Sequence, residues 1–314
     1  MFTAMALVAL GLLLLVIGGE TLVRGAVQLA GRMGISPLVI GLVVVGFGTS
    51  APELVTSVQA AFAGAPGIAW GNIIGSNIAN SLLILGVAVI VAPLVLTRAE
   101  GLRDPLVALV AAFGLAAIAY AGAGSALLGI LGLVGITAYI FHCYRQSRTM
   151  GEDEAEALNP ESGSGWGMVL RTLAGLLLLV GGGRILVMGA VELAELAGLS
   201  QTIIGLTVVA IGTSAPELAT AIISARHRQM QLVFGNIVGS NIYNILAIGG
   251  VTMLIAPAPL PADLISRDIP IMLAAMAFIL LVAWFNGRLA RLAGFGLVLS
   301  YAAYLALLVV QQTG

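Results

Sequence analysis

Two glutamates stand in identical polar hexapeptides inside long apolar stretches of this 314-residue chain. Residues 48–53 and 212–217 both read Gly-Thr-Ser-Ala-Pro-Glu. A lone charge at the centre of a bilayer costs roughly 2.5–3.5 kcal/mol on insertion scales, and such groups usually serve an ion or proton pathway. We therefore expect Glu53 and Glu217 to face each other and a shared cation. The alternative is a protonated structural group bonded to a neighbouring helix.

The proline before each glutamate predicts a break in the helix. Pro52 has no N–H to give the Gly48 carbonyl, and Pro216 withholds one from Gly212. In lipid, a freed carbonyl needs protein, water or an ion, so we expect each segment to line a cavity rather than form a simple kink. The hydroxyl residues that share a helical face with the glutamates are Thr49, Ser50, Thr213 and Ser214.

A second duplicated motif supplies neutral oxygens. Its polar residues recur every four positions, which places them on one helical face: Asn72, Ser76 and Asn80 in the first copy, and Asn236, Ser240 and Asn244 in the second. Asn77 and Asn241 point about 100° away from the neighbouring serines and could bond helix to helix. Gly71/Gly75 and Gly235/Gly239 have the spacing that lets helices approach closely.

Carboxylates, hydroxyls, amides and carbonyls are hard ligands, and Ca²⁺ takes about 6–8 such oxygens. Soft ligands are scarce, because the single Cys143 excludes an internal disulfide and a cysteine-based metal site. His142 and His227 lie beside arginines at predicted span ends and are interpreted as interfacial. Five acids in the segment 146–165 indicate a solvated linker; a regulatory Ca²⁺ patch is the alternative there.

Internal duplication is the strongest signal in the sequence. Residues 41–57 match 205–221 at 12 of 17 positions, and 70–86 match 234–250 at 11 of 17, both with an offset of 164. The duplication divides the chain into a first half, 1–145, a linker, 146–165, and a second half, 166–314. Repeats of this kind are typical of transporters whose site lies between the two copies.

Composition places most of the chain in lipid, since 60% of its residues are hydrophobic and 9% are charged, against about 25% charged in soluble domains. The N-terminal apolar run lacks a basic leader and is interpreted as a retained span. Ten spans are predicted, near 2–28, 36–63, 69–92, 104–121, 125–144, 166–194, 201–225, 232–256, 269–286 and 291–310.

Five spans per half would make the second copy enter the membrane from the opposite side. The arginines test this, because cytoplasmic loops carry an excess of positive charge. With both termini outside, the outer loops hold only Arg267, whereas the cytoplasmic ends hold Arg32, Arg98, Arg103, Arg145, Arg148, Arg226, Arg228, Arg288 and Arg291. The predicted fold is therefore an all-α polytopic membrane protein of two inverted five-helix repeats with broken helices at the ion site and a cytoplasmic linker.

The paired Gly-Thr-Ser-Ala-Pro-Glu-Leu and Gly-Asn-Ile-x-Gly-Ser-Asn-Ile blocks resemble the two alpha-repeats of the cation/Ca²⁺ exchanger superfamily, as found in the Na⁺/Ca²⁺ exchangers. The resemblance spans nearly the whole chain. It implies alternating access by sliding of the first and sixth helices. By position it implies a ligand set of Glu53, Glu217, Thr49, Ser50, Thr213, Ser214, Ser76, Ser240, Asn80, Asn244 and the carbonyls of Gly46 and Ala210.

The chain departs from its relatives at one pair of positions. Many of them carry aspartate at one or both of the sites of Asn80 and Asn244, and this chain has asparagine at both. Two central carboxylates remain, and their charge balances one Ca²⁺ or two Na⁺. This departure puts the usual electrogenic three-Na⁺ stoichiometry and any K⁺ dependence in question.

The expected function is Na⁺/Ca²⁺ antiport in the inner membrane, with Ca²⁺ and Na⁺ as transported ions and the bilayer as the surrounding partner. No cofactor, enzymatic activity, nucleic acid or oligomer is required. Three alternatives remain: H⁺-coupled Ca²⁺ exchange, a passive cation channel, and an intramembrane hydrolase. The hydrolase is disfavoured because neither histidine is placed to act as a base.

Overall fold

The computed structural model describes residues 1–34, 37–95, 101–146, 165–196, 210–285 and 287–313. The first half contains helices α1 (Phe2–Met33), α2 (Pro37–Ile40), α3 (Gly46–Thr49), α4 (Ala51–Phe62), α5 (Pro66–Ala79), α6 (Leu85–Val91), α7 (Arg103–Tyr120) and α8 (Ala126–Gln146). The second half contains α9 (Gly165–Leu196), α10 (Ala210–Thr213), α11 (Ala215–Arg226), α12 (Met230–Ile242), α13 (Gly249–Ile255), α14 (Ile269–Trp284) and α15 (Arg291–Thr313).

Four π-helical segments continue these helices, namely π1 (Gly41–Val45), π2 (Asn80–Ile84), π3 (Tyr243–Ile248) and π4 (Leu264–Asp268). Within the described ranges, eight continuous helices are long and apolar enough to cross a membrane, and a bent pair makes a ninth candidate. The bend of 43° falls between Leu38–Thr49 and Ala51–Phe62. The chain is therefore a multi-span membrane protein.

Eight predicted spans correspond to these continuous helices, with ends that differ by at most five residues. The first span runs on to Met33, beyond the predicted residue 28, because Gly34 in the left-handed region (φ 62°) ends α1 only there. The first part of the span predicted at 201–225, residues 201–209, lies outside the described residues. Linker residues 147–164 also lie outside them. A count of ten spans thus stays a prediction.

Helices α1 and α9, the first of each half, pack against each other along glycines spaced by seven residues. A Cβ added to Gly18 would lie 2.8 Å from the Leu179 backbone nitrogen, and one added to Gly25 would lie 2.8 Å from that of Thr172. Partner numbers fall by seven as the glycine numbers rise by seven, so the two helices run antiparallel. Glycine is required here because the backbones touch.

The seam is duplicated between the halves with the same offset of 164. Gly11, Gly18 and Gly25 on α1 correspond to Gly175, Gly182 and Gly189 on α9, and all six glycines contact the other helix. A contact of 2.8 Å between Oε2 of Glu20 and Nε2 of His227 joins α1 to the residue that caps α11. The paired helices therefore pack on each other and also reach the helix that carries Glu217.

The second-motif helices form the centre of the molecule. Of an 18-residue stretch within Pro66–Val91, 78% is buried, and of one within Met230–Ile255, 72% is buried; the corresponding shares for α1 and α15 are 28% and 17%. Trp70 and Phe234, at equivalent positions on these two helices, are at most 1% exposed. The peripheral helices expose large apolar side chains, as lipid contact requires.

Each half also contains a buried Arg-Asp-Tyr cluster that the motif analysis did not identify. Asp104 accepts hydrogen bonds from Arg103 (2.6 Å) and from the Tyr139 hydroxyl (2.9 Å), which joins α7 to α8. Asp268 likewise accepts from Arg267 (3.0 Å) and the Tyr304 hydroxyl (2.8 Å), joining π4 to α15. Pairing in this way offsets part of the cost of burying each carboxylate, although Oδ2 of Asp104 has no described partner.

A two-residue antiparallel ribbon is the exception to the all-helical prediction. Strand β1 (Leu94–Val95) pairs with strand β2 (Arg288–Leu289). The ribbon places the connection after α6 beside the connection after α14. At other helix ends, the Tyr120 hydroxyl donates to the Ile265 carbonyl (3.2 Å). These contacts group the connections of the two halves into shared ends of the helix bundle.

The glycine seam generates a prediction from two adjacent residues on α9. A Cβ added to Gly182 would meet Leu14 and Leu15 at 2.8 and 3.0 Å, whereas one added to Gly181 meets no described residue within 4 Å. We expect Gly182→Ala to lower stability by about 1–3 kcal/mol through overpacking. Gly181→Ala should be neutral or stabilising by up to about 1 kcal/mol, because alanine favours helix.

Thermal unfolding of the two variants in the same detergent, followed by size-exclusion chromatography, measures the difference. Equal unfolding temperatures for both variants would show that the backbones of α1 and α9 are not in close contact at this seam.

Candidate ion-binding site

Both glutamates lie in the first turn of a helix that begins after a break. The chain leaves helical geometry at Ser50 (φ −79°, ψ 6°) and at Ser214 (φ −86°, ψ 10°), and α4 and α11 then begin with proline in the first turn. Proline suits this position because its missing N–H is not needed there. The predicted break therefore occurs in both copies, and it places Glu53 and Glu217 where a helix N-terminus favours negative charge.

The two broken segments contact each other through reciprocal hydrogen bonds. The Ser50 hydroxyl donates to Oε1 of Glu217 (3.3 Å), and the Ser214 hydroxyl donates to Oε1 of Glu53 (3.3 Å). All four side chains are at most 2% exposed. The structure thus brings the two sequence-predicted carboxylates into one buried cluster, each held by the serine of the other repeat.

The second oxygen of each carboxylate lacks a partner. Oε2 of Glu53 and Oε2 of Glu217 are both buried, and neither accepts a hydrogen bond from any described residue. An unsatisfied buried carboxylate oxygen carries a substantial desolvation cost. The arrangement therefore leaves one carboxyl oxygen of each glutamate without a described hydrogen-bond donor.

Threonine and serine hydroxyls extend this cluster between the halves. The Thr49 hydroxyl lies 3.0 Å from the Val45 carbonyl and 3.2 Å from Oδ1 of Asn236, to either of which it can donate. The Ser240 hydroxyl donates to the Gly46 carbonyl (3.3 Å). Gly46, Thr49 and Ser240 are therefore grouped as predicted, and they belong to different copies of the repeat.

The two asparagines at equivalent positions have different surroundings. The Asn80 amide donates to Asn241 (3.2 Å), which in turn donates to the Ser81 hydroxyl (3.0 Å). Asn244 is 1% exposed, and neither its amide nitrogen nor its oxygen has a described partner. The repeat places Ile245 where the first copy has Ser81, which removes one partner from the second network.

Both asparagines lie where the helix changes to π geometry. Segment π2 begins at Asn80, and π3 begins at Tyr243, one residue before Asn244. Such π segments occur often at functional sites, because the wider turn redirects side chains. Nothing in the residue spacing predicted this change of geometry.

Ser57 is a polar neighbour that the motif analysis did not include. The Asn72 amide donates to the Ser57 hydroxyl (2.9 Å) and to the Glu53 backbone carbonyl (3.1 Å). Ser57 follows Glu53 by four residues, so its position on the same helical face was the available signal. These contacts fix the first turn of α4 against the helix that carries Asn72.

The structure describes close packing neighbours for only one of the two glycine pairs of the second motif. Added Cβ atoms at Gly235 and Gly239 would collide with the carbonyls of Leu38 and Leu42, which confirms close packing against α2 and π1. No described residue lies within 4 Å of such atoms at Gly71 or Gly75. The positions equivalent to Leu38 and Leu42 are 202 and 206, which lie outside the described residues.

The remaining predicted residues have simpler placements. Ser76 is buried at 5% exposure, Thr213 is partly buried at the end of α10, and Ala210 begins that helix. Asn77 donates to the Ile73 carbonyl of its own helix (2.7 Å), so only Asn241 of this pair bonds helix to helix as suggested. His227 is an exposed cap of α11 that pairs with Glu20, away from the cluster.

Chemically, the cluster offers two carboxylates among neutral hydroxyl, amide and carbonyl oxygens. In the ranges that the structure describes, no group of three or more His, Cys, Asp or Glu side chains is placed to hold a metal ion. Oxygen-only sites suit Na⁺, Mg²⁺ and Ca²⁺ rather than zinc or copper. The cluster therefore offers oxygen atoms of the kind that hard cations prefer, and two of its side chains are carboxyl groups.

Comparison with known proteins agrees with this chemistry. The sodium/calcium exchanger protein family matches residues 3–148 and 168–310. The putative antiporter CaxA of Alkalimonas amylolytica is 38% identical over 93% of each chain, and the sodium/calcium exchanger MaX1 of Methanosarcina acetivorans is 30% identical over 95% of this chain and 96% of its own. The inner membrane protein YrbG of Escherichia coli is 37% identical over 90% of each chain.

Solved structures give the same result. The sodium-calcium exchanger NCX_Mj, soaked with Na⁺ and Sr²⁺, superposes with a TM-score of 0.86 at 28% identity and covers 97% of this chain and 98% of its own. The family match covers both halves of the sequence, and the fold superposes on that of NCX_Mj over nearly the whole chain. The chain belongs to the sodium/calcium exchanger family.

Proposed function

We propose that the chain is a Na⁺-driven Ca²⁺ antiporter whose substrate site is built around Glu53 and Glu217. The observation that carries this proposal is the reciprocal pair of serine–glutamate bonds, which leaves one buried oxygen of each carboxylate without a partner. One Ca²⁺, or Na⁺ ions of equal total charge, would neutralise both carboxylates. Because the same oxygens serve both ions, binding of one substrate expels the other.

The described oxygens fit the coordination that Ca²⁺ requires. The Oε2 atoms of both glutamates and the amide oxygens of Asn80 and Asn244 are buried and unpartnered, which gives four candidate ligands. The serine and threonine hydroxyls and the carbonyls of Gly46 and Ala210 complete the proposed set. Ca²⁺ takes about 6–8 oxygens in flexible arrangements, so this set is sufficient without a cofactor.

Alternating access is proposed to follow from an inverted repeat of five spans per half, divided by the linker 146–165. Support comes from the antiparallel packing of α1 and α9, which are equivalent helices of the two copies. Equivalent helices that run in opposite directions are a feature of inverted repeats. The glycine seam joins the pair that the family resemblance makes the sliding unit.

The proposed orientation has both termini outside and the linker in the cytoplasm. The ribbon between β1 and β2 supports it, because the two paired connections, 92–102 and 285–290, are both expected to be cytoplasmic. The bond from Tyr120, the last residue of α7, to Ile265 in π4 similarly joins two helix ends that are expected to lie near the outer side. The arginine distribution and these contacts thus favour the same topology.

Removing the two carboxylates should abolish exchange. We expect Glu53→Gln and Glu217→Gln, singly or together, to reduce Na⁺-gradient-driven Ca²⁺ uptake into proteoliposomes by at least about tenfold, since each loses a charge-assisted contact to the ion. Asp263→Asn is the matched control, because Asp263 is an exposed acid in a connection. Undiminished uptake in the double variant would remove these glutamates from the mechanism.

The coupling ion is the second quantity to measure. Hydroxyl and amide oxygens around the carboxylates suit Na⁺, so we expect an outward Na⁺ gradient to drive Ca²⁺ uptake more strongly than a matched pH or K⁺ gradient. Uptake driven by the pH gradient alone would favour the H⁺-coupled alternative. Ca²⁺ flux that needs no counter-ion would instead favour a channel.

Stoichiometry follows from the charge of the site. Two carboxylates balance one Ca²⁺ or two Na⁺, so we expect electroneutral exchange whose rate is insensitive to an imposed membrane potential. Asn244→Asp adds a third carboxylate at a side chain without described partners and should make exchange potential-dependent. In Asn80→Asp the new carboxylate would face Oδ1 of Asn241, so we expect it to lower stability more than Asn244→Asp.

A vesicle assay with the potential clamped by valinomycin and K⁺ measures the first effect, and thermal unfolding measures the second. A strong potential dependence of the unaltered protein would contradict the two-charge account.

A further inference from the structure

An apolar groove lies between the glycine-packed helices and the helix that carries Glu217. It has a volume of about 490 Å³ and is lined by residues of α1, α9, α10 and α11. Its α11 wall is formed by Ala215, Leu218, Ala219, Ile222 and Ile223, and it ends at Arg226. The other walls include Val16 on α1 and Ala190 on α9, so the lining apart from Arg226 is apolar.

Arg226 is unusual among the lining residues because it carries the only charge there and is exposed. Within the described ranges it forms no ion pair or hydrogen bond through its side chain. The neighbouring residue His227 contacts Glu20 of α1 (2.8 Å), and Glu20 also pairs with Arg24 (2.7 Å). A cation at the end of an apolar groove is thus left for an external anion.

The backbone at this end of α11 supports a role for the positive charge. Arg228 has φ 59° and is the only non-glycine residue with positive φ in the described ranges. Its equivalent in the first half is Gly64, at φ 72°. Arginine in this conformation costs about 1–2 kcal/mol relative to glycine, so the chain retains a charge where the first repeat has the unstrained residue.

Charge at this position also differs between the repeats. Residues 226–228 read Arg-His-Arg, whereas the equivalent 62–64 read Phe-Ala-Gly. The residues named near this end of α11 include three arginines, Arg24, Arg226 and Arg228, and one acid, Glu20. The excess of positive charge favours an anionic occupant, and juxtamembrane basic clusters attract anionic lipid at about 1 kcal/mol per residue.

We propose that the groove binds one acyl chain of an anionic phospholipid, with the phosphate paired to Arg226. The chain would lie between α11 and the α1–α9 pair. Glu217 lies two residues from both Ala215 and Ala219, about 200° around the helix axis, and therefore on the opposite side of α11. The lipid would thus brace the helix that positions one carboxylate without touching the ions.

Binding can be measured independently of transport. The purified full-length protein, exposed in detergent to equal amounts of phosphatidylglycerol and phosphatidylcholine, is analysed by native mass spectrometry. We expect the protein to retain one phosphatidylglycerol molecule in preference to phosphatidylcholine. Arg226→Gln should weaken this retention by about tenfold, because it removes one charge-assisted contact. Arg291→Gln, at an exposed helix start elsewhere, should retain the lipid.

The groove itself is tested from two walls. Ala219→Phe on α11 and Ala190→Phe on α9 should each fill it and reduce retention, while phosphatidylglycerol should no longer raise the thermal unfolding temperature of these variants. The acyl chain can also be tested on the unaltered protein, by competing the retained phosphatidylglycerol with anionic compounds that have short acyl chains or none. Glycerol phosphate or a dihexanoyl lipid should fail to displace the long-chain lipid.

Three results would overturn the proposal. They are equal retention by the unaltered protein and Arg226→Gln, full retention in both correctly folded phenylalanine variants, and displacement of the lipid by glycerol phosphate. The second and third would place the headgroup on the basic residues without a chain in the groove. Loss of Na⁺/Ca²⁺ exchange alone would leave this proposal unaffected, because its readout is lipid retention.

Discussion

Two carboxylates buried together in an apolar membrane repel each other, and this repulsion is the constraint around which the rest of the site is arranged. Glu53 and Glu217 are each 1% exposed, so water cannot screen them well. The chain supplies two helix N-termini and two serine hydroxyls, but it leaves one oxygen of each carboxylate without a partner. This incomplete satisfaction fits the proposed ion site, since a protein group that fully neutralised the pair would compete with a bound cation.

The same constraint explains why the second-motif helices are enclosed while α1 and α9 are largely exposed. The second-motif helices are enclosed, which keeps the amide and hydroxyl groups out of lipid, where unpaired polar groups are costly. Helices α1 and α9 are mostly exposed and meet through glycines, so their contact depends on close backbone approach rather than on interlocking large side chains. A seam of this kind can change register at lower cost than a core of interdigitated side chains, in keeping with a moving pair around a fixed centre.

Sequence reasoning predicted the parts that depend on local chemistry. Pro52 and Pro216 gave the helix breaks, and the duplicated hexapeptide placed both glutamates and both serines in one cluster. The reciprocal bonds of Ser50 with Glu217 and of Ser214 with Glu53 were not predicted, because helical spacing related each serine to the glutamate of its own copy. It missed the buried Asp104 and Asp268, because an Arg-Asp pair at a span end looks like an ordinary interfacial charge. Tyr139 and Tyr304, which complete these clusters, lie about 35 residues away, so no local pattern could reveal them.

Departures from symmetry between the repeats carry information that the duplication itself does not. An ideal twofold repeat would make the two access states equal in energy, since each state would be the other with the halves exchanged. Here Ser81 in the first half corresponds to Ile245 in the second, and Gly64 corresponds to Arg228. The residues equivalent to Glu20 and His227 are Arg184 and Ala63, which cannot form the same contact. Each difference gives the two halves unequal contacts, so under the proposed alternating-access mechanism we expect the chain itself to favour one of the two access states.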